Sequence, residues 1–190
     1  MLEGFTCRYK LTGEGKRQIL NFNIPGDIPD LQSLHLTVLD NSLGTITPCK
    51  VGFIQHEVLR ELCVRYPRLA SAFWRETLID ASIFREWVMN VGRREAINQI
   101  AHLLCELLVR MRAVGLANDH SCEFPITQTE LGDATGNSTV HVNRTLQELR
   151  GAGLIQLEKG RLTVLNWAEL KQVADFDPTY LHLQPRQAAA

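Results

Sequence analysis

The sequence predicts an α+β fold: strands confined to the N-terminal part, one long helix in the middle and a winged helix-turn-helix at the C-terminal end. Three observations lead there. Residues 1–53 run in short alternating segments broken by turn residues. Residues 69–90 repeat apolar side chains at helical spacing on two separate faces. Residues 127–165 hold two capped helical stretches followed by two β-rich runs around a tight turn.

The chain has 190 residues, enough for two small units that each bury a core. A net charge of −1 excludes a protein that coats nucleic acid by bulk charge. A local basic surface is still compatible with a sequence-specific reader, and Arg144, Arg150, Lys159 and Arg161 supply one. The five cysteines, Cys7, Cys49, Cys63, Cys105 and Cys122, show no CxxC spacing, so they are expected to be reduced and buried. No apolar run approaches membrane-spanning length and no signal segment opens the chain. A cytoplasmic protein with no membrane contact is expected.

Phe5 to Leu11 and Gln18 to Phe22 flank Thr12-Gly13-Glu14-Gly15, a β-hairpin pattern. Pro25-Gly26-Asp27 and Asp40-Asn41-Ser42 are further turns, and residues 45–54 read as another strand pair. An antiparallel roll or barrel fits this segment. Residues 55–66 form a short amphipathic helix with Val58, Leu59 and Leu62 on one side, closed by Pro67.

The long helix over 69–90 has a heptad stripe of Ala70, Trp74, Thr77, Ala81, Phe84, Val88 and Val91, and a second stripe of Ile79, Ile83 and Trp87. One stripe covers the roll or the next helix. The other is left for a copy of itself across a two-fold axis, although a single-chain core could absorb both. Trp74, Thr77, Ala81, Phe84 and Val88 are the candidate dimer residues. Asn90-Val91-Gly92 reads as a hinge, after which residues 94–112 resume as a helix with Ile97, Ile100, Ala101, Leu104, Leu107 and Leu108 inward. Phe124-Pro125-Ile126 reads as a short strand.

Thr127 caps the next helix, with Glu130 placed to reach back to the cap amide and Leu131 and Ala134 facing inward. Gly136 ends it, and Ser138 caps a second helix reaching about Arg150, buried through Val142, Leu146 and Leu149. Residues 154–157 and 162–165 then flank the turn Glu158-Lys159-Gly160-Arg161 as a wing. An ordinary helix pair beside a hairpin is the bland alternative, but caps, turn and wing agree at the spacing a DNA reader needs. Asn166 caps a last helix with Glu169 at its third position, residues 176–183 are less regular, and 184–190 form a disordered end.

This order of elements resembles the Crp/Fnr superfamily of bacterial transcription regulators over nearly the whole chain. The matching runs are Leu2-Glu3-Gly4, Gly15-Lys16-Arg17-Gln18-Ile19-Leu20, Pro25-Gly26-Asp27, residues 94–108 and, most specifically, residues 127–165. The resemblance starts inside the family's N-terminal β-roll, whose first helix and strands have no counterpart here; an exposed sheet edge is then expected unless the remaining strands pair differently. It implies a partial cyclic-nucleotide-binding-like roll over 1–66, a dimerisation helix and hinge over 67–92, a winged helix-turn-helix domain over 93–183 and a tail over 184–190.

The implied function is a transcription regulator that binds double-stranded DNA as a homodimer at an inverted repeat, with RNA polymerase as a further partner. The resemblance places Arg144 on the family's groove-reading arginine, with Ser138, Thr139, Val140 and Asn143 beside it as base readers. The family's usual Arg-Glu pair near the helix start is replaced by Thr139-Val140. Thr127 and Gln128, at a helix N-terminus, and Lys159 and Arg161, on the wing, are the backbone-contact candidates.

Cyclic-nucleotide binders of the family carry a Glu and an Arg between the Pro-Gly-Asp turn and the next strand. Residues 31–49 contain no Arg, Lys or Glu, and the cysteine cluster of the oxygen-sensing branch is absent too. His35, His56, His102 and His141 have no partner at ligand spacing. No cofactor, no metal and no catalytic residues are therefore expected. The alternative function is a protein-interaction module, or a partner that poisons the dimers of full-length relatives.

Overall fold

The computed structural model describes residues 1–183; the tail expected over 184–190 lies outside the described residues. Strands β1 (Thr6–Leu11) and β2 (Arg17–Asn23) form the expected antiparallel hairpin, and β3 (Ser42–Thr45) pairs with the other side of β1. Cys7 faces Phe22 on one neighbour and Gly44 on the other. Phe5, Cys7, Ile19, Phe22 and Ile24 are buried, and Thr6, Asn21 and Asn23, which alternate with them, are buried too, so this end of the β1–β2 pair is covered on both faces.

The strand pair expected over 45–54 does not form. β3 ends at Thr45, only Lys50 bridges back, to Glu3, and Pro48 has no N–H to extend a ladder. The following helix, α1 (His56–Arg65), is in its expected place but buries no residue fully: Val58 is exposed and Leu59 and Leu62 are half-buried. Two cysteines also depart from expectation. Cys7, Cys105 and Cys122 are buried and free, whereas Cys49 and Cys63 are half-buried.

Helix α2 (Pro67–Arg93) starts on a proline, whose missing N–H would have no intrahelical partner at that position. Its two stripes have opposite fates. Ile83 and Trp87 are buried against the core, Ile79 is half-buried, and Trp74 (69% exposed), Phe84 and Val88 (61% exposed) face outward. The hinge expected at Asn90-Val91-Gly92 is corrected, because the helix continues through all three residues to Arg93. An interior glycine costs about 1 kcal/mol of helix propensity, and the buried Trp87 and Asn90 hold the turn around it. The break falls instead at Arg94 and Glu95, both in extended conformation.

Helix α3 (Ala96–Ala113) is surrounded. It packs on α2, on the C-terminal helices described below and on the 3-10 turn Pro178–Leu181, and Ile100, Leu103, Leu104, Leu107, Leu108 and Met111 are buried around its circumference. Among these apolar residues sit two charges. Glu106 accepts from Trp87 Nε1 at 3.0 Å, from the Tyr180 hydroxyl at 2.8 Å and from Arg110 Nη1 at 3.2 Å. Arg110 also reaches Asp27 Oδ2 at 2.9 Å and Asn21 Oδ1 at 3.3 Å, which ties the Pro-Gly-Asp turn and β2 to α3. Asn21 in turn donates to Asp80 on α2, the partner of Arg8 on β1. Burial pushes the Glu106 carboxyl up, against the pull of Arg110, Tyr180 and Trp87. Next to them His102 sits 3.0 Å from the Tyr180 hydroxyl and 3.3 Å from the Ala174 carbonyl. Burial, with the Arg94 charge, pulls its pKa down to about 4, so it is a neutral core side chain at neutral pH.

The C-terminal part follows as β4 (Ser121–Glu123), α4 (Gln128–Thr135), α5 (Thr139–Gly151), β5 (Ile155–Glu158), β6 (Arg161–Val164) and α6 (Trp167–Val173). Its sheet has strand order β4-β6-β5. The short strand expected at Phe124-Pro125-Ile126 lies three residues earlier, at Ser121–Glu123, because Pro125 cannot donate to β6. Asn166 caps α6, accepting from Glu169 N at 3.2 Å. The N-terminal sheet docks on α4 through Arg17–Asp133 at 2.7 Å and Gln18 Nε2 to the Ala134 carbonyl at 3.2 Å.

Candidate nucleic-acid interface

The cap of α4 forms as its sequence implies. Thr127 Oγ1 accepts from Glu130 N at 3.2 Å, and Glu130 Oε2 receives the Thr127 amide at 2.7 Å and its hydroxyl at 2.8 Å. Both donors of Thr127 are thereby engaged. The amides of Gln128 and Thr129, in the first turn, remain the outward donors of this helix end.

Gly136 then adopts φ +73°, the left-handed conformation that lets the chain reverse within a few residues. Ser138 caps α5 by accepting from His141 N at 3.2 Å. The turn between the helices is tight: a Cβ at Gly132 would come within 2.5 Å of the Asn137 carbonyl oxygen. Reading the sequence missed that requirement, and its visible signal was a glycine one turn before Gly136 in an otherwise helical stretch.

Val142, Leu146 and Leu149 bury α5 against α3 and α4. The opposite face carries Thr139, Val140, Asn143 and Arg144, all exposed, and Val140 is 81% exposed at the helix tip. Asn143 Nδ2 donates to Gln128 Oε1 at 3.1 Å, bringing one candidate base reader and one candidate backbone contact together across the two helices. Arg144 lies between His141 Nε2 at 3.3 Å and Glu148 Oε1 at 3.8 Å. Exposed pairs of this kind are worth little and leave the guanidinium free to exchange partners.

The wing is the β5–β6 hairpin, with Glu158 opposite Arg161. Lys159 (φ +49°) and Gly160 (φ +73°) are its two turn residues, the positive-φ pair that a two-residue hairpin turn requires. Lys159 is thus exposed at the tip, while Arg161 donates to Ser121 Oγ at 3.2 Å at the root. Trp74, Thr77, Ala81, Phe84 and Val88 lie apart from this surface, on the outer face of α2; Thr77 is half-buried and the other four are exposed.

Such a surface combines an uncharged and basic helix face, amides at a helix N-terminus and a cationic hairpin tip. It can set side chains against base edges in a groove while amides and cations meet the phosphates alongside.

Comparison with known proteins bears on the same region. Residues 98–173 match the model of the Crp-like helix-turn-helix domain. The chain is 28% identical over 176 residues to the nitrogen fixation regulation protein FixK of Bradyrhizobium diazoefficiens, covering 92% of this chain and 72% of that protein. It is 25% identical over 168 residues to the transcriptional activator protein FnrL of Cereibacter sphaeroides, covering 86% and 67%. The solved structure of FixK2 from Bradyrhizobium japonicum superposes with a TM-score of 0.77 at 21% identity, covering 90% of this chain and 84% of that one.

Proposed function

We propose that this chain, which belongs to the Crp/Fnr superfamily of DNA-binding transcription regulators, acts as a homodimer that reads an inverted-repeat operator with α5. The observation that carries the reading is the outward face of α5, where Val140, Asn143 and Arg144 stand exposed on a capped helix whose opposite face is packed into the core. Ser138, Thr139, Val140, Asn143 and Arg144 read bases. Thr139 and Val140 offer apolar contact, suited to a thymine methyl, where a charged pair would read a guanine and its partner. The outer stripe of α2 supplies the dimer contact. RNA polymerase is a further partner in this reading, the site is non-catalytic, and the working place is the cytoplasm. Among the described residues no helix is long and apolar enough to cross a membrane.

Base and backbone contacts separate by experiment. Arg144→Ala should cost about 1–3 kcal/mol of operator affinity and relax the preference at one base position per half-site. Selection from a randomised operator checks this, and an unchanged consensus would reject Arg144 as a reader. Thr127, through its cap, Gln128, Lys159 and Arg161 position the protein on phosphates instead. A Lys159→Ala/Arg161→Ala double variant should weaken all sequences alike and flatten the dependence of log affinity on log salt by about two. A sequence-selective loss with the original slope would contradict it.

DNA binding in this reading needs no cyclic nucleotide. The cavity of about 410 Å³ between the N-terminal sheet, α2 and α3 is lined by Arg8, Arg75 and Arg110; Asp80 already holds the first and Asp27 with Glu106 the last, while Arg75 donates to the His182 carbonyl at its rim. A cyclic phosphate buried against Arg8 or Arg110 would have to break pairs that the fold uses, and Arg75 at the exposed rim offers only a solvent-screened charge. Adding cyclic AMP to a fluorescence titration should leave operator affinity unchanged; tightening at micromolar nucleotide would overturn this.

A further inference from the structure

Where the sequence suggests a loose hinge, the structure has a hydrogen-bonded joint. Gln99, the fourth residue of α3 and 6% exposed, turns its amide back onto the end of α2. Its Nε2 lies 3.1 Å from the Asn90 carbonyl, 3.4 Å from that of Val91 and 3.0 Å from that of Arg94. The Asn90 carbonyl also accepts from Arg94 N at 3.3 Å, so the Gln99 amide reinforces that bond and reaches the Val91 and Arg94 carbonyls on either side of the break after α2. Asn90 replies by donating its own side-chain amide to the Gln99 carbonyl at 3.3 Å.

The other half of the Gln99 amide faces the DNA-reading motif. Asn137 Nδ2 donates to Gln99 Oε1 at 2.6 Å, and the same nitrogen donates to the Thr135 carbonyl and hydroxyl at 3.3 and 3.0 Å. Asn137 is the residue between the left-handed Gly136 and Ser138, the cap of α5. A path of short polar contacts therefore runs from the end of α2 through one side chain to the start of α5. A carboxylate at position 99 could not donate to the carbonyls and a lysine could not accept from Asn137; the primary amide does both.

We propose that Gln99 is a positioning residue that fixes the angle between α2 and α5 through Asn137, and so sets the spacing between the two operator half-sites. The proposal rests on α2 being the dimer helix and α5 the reading helix. In a two-fold dimer each reading helix is placed relative to the axis by this joint, and an angular error there is carried along the length of the domain to the DNA. Half-site recognition is local to α4 and α5 and does not pass through Gln99.

The test is a set of operators with the selected half-sites and spacers lengthened or shortened by single base pairs, titrated with the full chain. Two variants are compared with the unaltered protein: Gln99→Met, which keeps the volume and removes the hydrogen bonds, and Asn137→Ala, in the turn and half-buried, which breaks the path and also removes the donor to the buried Thr135. The expected result is that each variant's preference for the best spacer over its neighbours falls about five- to tenfold, as the loss of one or two buried hydrogen bonds implies. The half-site consensus stays unchanged, and the double variant is no worse than either single one. Should Gln99→Met fail to fold by circular dichroism, Asn137→Ala carries the same expectation. Variants that keep the original spacer discrimination, or that lose affinity equally at every spacer, overturn the joint alone. An unaltered protein with no spacer preference overturns the joint together with the dimeric reading beneath it.

Discussion

Replacing Arg110 with methionine should lower folding stability at neutral pH by about 3–5 kcal/mol, the usual cost of stripping the partner from a buried charge. Arg110 joins three parts of the chain at once, α3 through Glu106, the Pro-Gly-Asp turn through Asp27 and β2 through Asn21. Without it Glu106 keeps only the Trp87 and Tyr180 donors in a fully buried site. Burial already pushes this carboxyl above its ordinary value, and Arg110 is the largest influence holding it down.

The pH dependence follows in sign. A carboxyl raised by folding contributes stability that is fully present below its unfolded value, about 4.3, and is lost as pH rises through the folded value. The variant's deficit should therefore be large at neutral pH and shrink in acid, and Arg110→Met/Glu106→Gln should recover much of it. Urea denaturation across that range checks both statements; a deficit that is small at neutral pH, or as large in acid, would refute the assignment.

A glutamate in place of Val88 should lower affinity for the inverted repeat by about 10²–10⁴-fold, because binding two half-sites with one linked pair gains that much over binding them separately. Val88 is 61% exposed on the outer face of α2, beside the exposed Phe84 and Val91. An isologous contact would set each new carboxylate near its own copy, adding like-charge repulsion to the lost apolar area. Sedimentation equilibrium should show a monomer with its circular dichroism intact, and affinity for a single half-site should be unchanged. A Val88→Glu protein that stays dimeric and binds as before would remove α2 from the interface.

The parts of this molecule that local chemistry controls were legible in the sequence. The Thr127 and Ser138 caps, the left-handed Gly136, the Lys159-Gly160 turn and the two stripes of α2 each depend on a few neighbouring residues, and each appears in the structure as its pattern implies. What stayed hidden depends on contacts between distant segments. Glu106 and Arg110 could have been noticed as a charged i,i+4 pair inside an apolar helix, but nothing local points to Asp27, Asn21 or Tyr180 as their partners.

The hinge was misplaced for a related reason. Gly92 is a local signal for a break, and it is outweighed by Trp87 and Asn90, which are anchored in the core, and by the Gln99 amide on the Asn90 and Val91 carbonyls. The strand pair expected over 45–54 failed because β-rich composition does not guarantee a partner edge. Only Ser42–Thr45 lies along β1. The candidate base readers were visible only as residue types on one helix face. Contacts such as Asn143 to Gln128, and Arg144 between His141 and Glu148, needed the packing of α4 on α5 before they could be stated.

A two-fold dimer that reads DNA through α5 can be tested by selecting bound duplexes from a fully random library with the purified full chain and sequencing them. The expected result is enrichment of an inverted repeat whose half-site centres lie about one helical turn apart, roughly 34–36 Å along the DNA, with one position in each half-site that loses its preference in Arg144→Ala. Enrichment of no sequence, or of a single unrepeated element bound equally well by the Arg144→Ala protein, would contradict it.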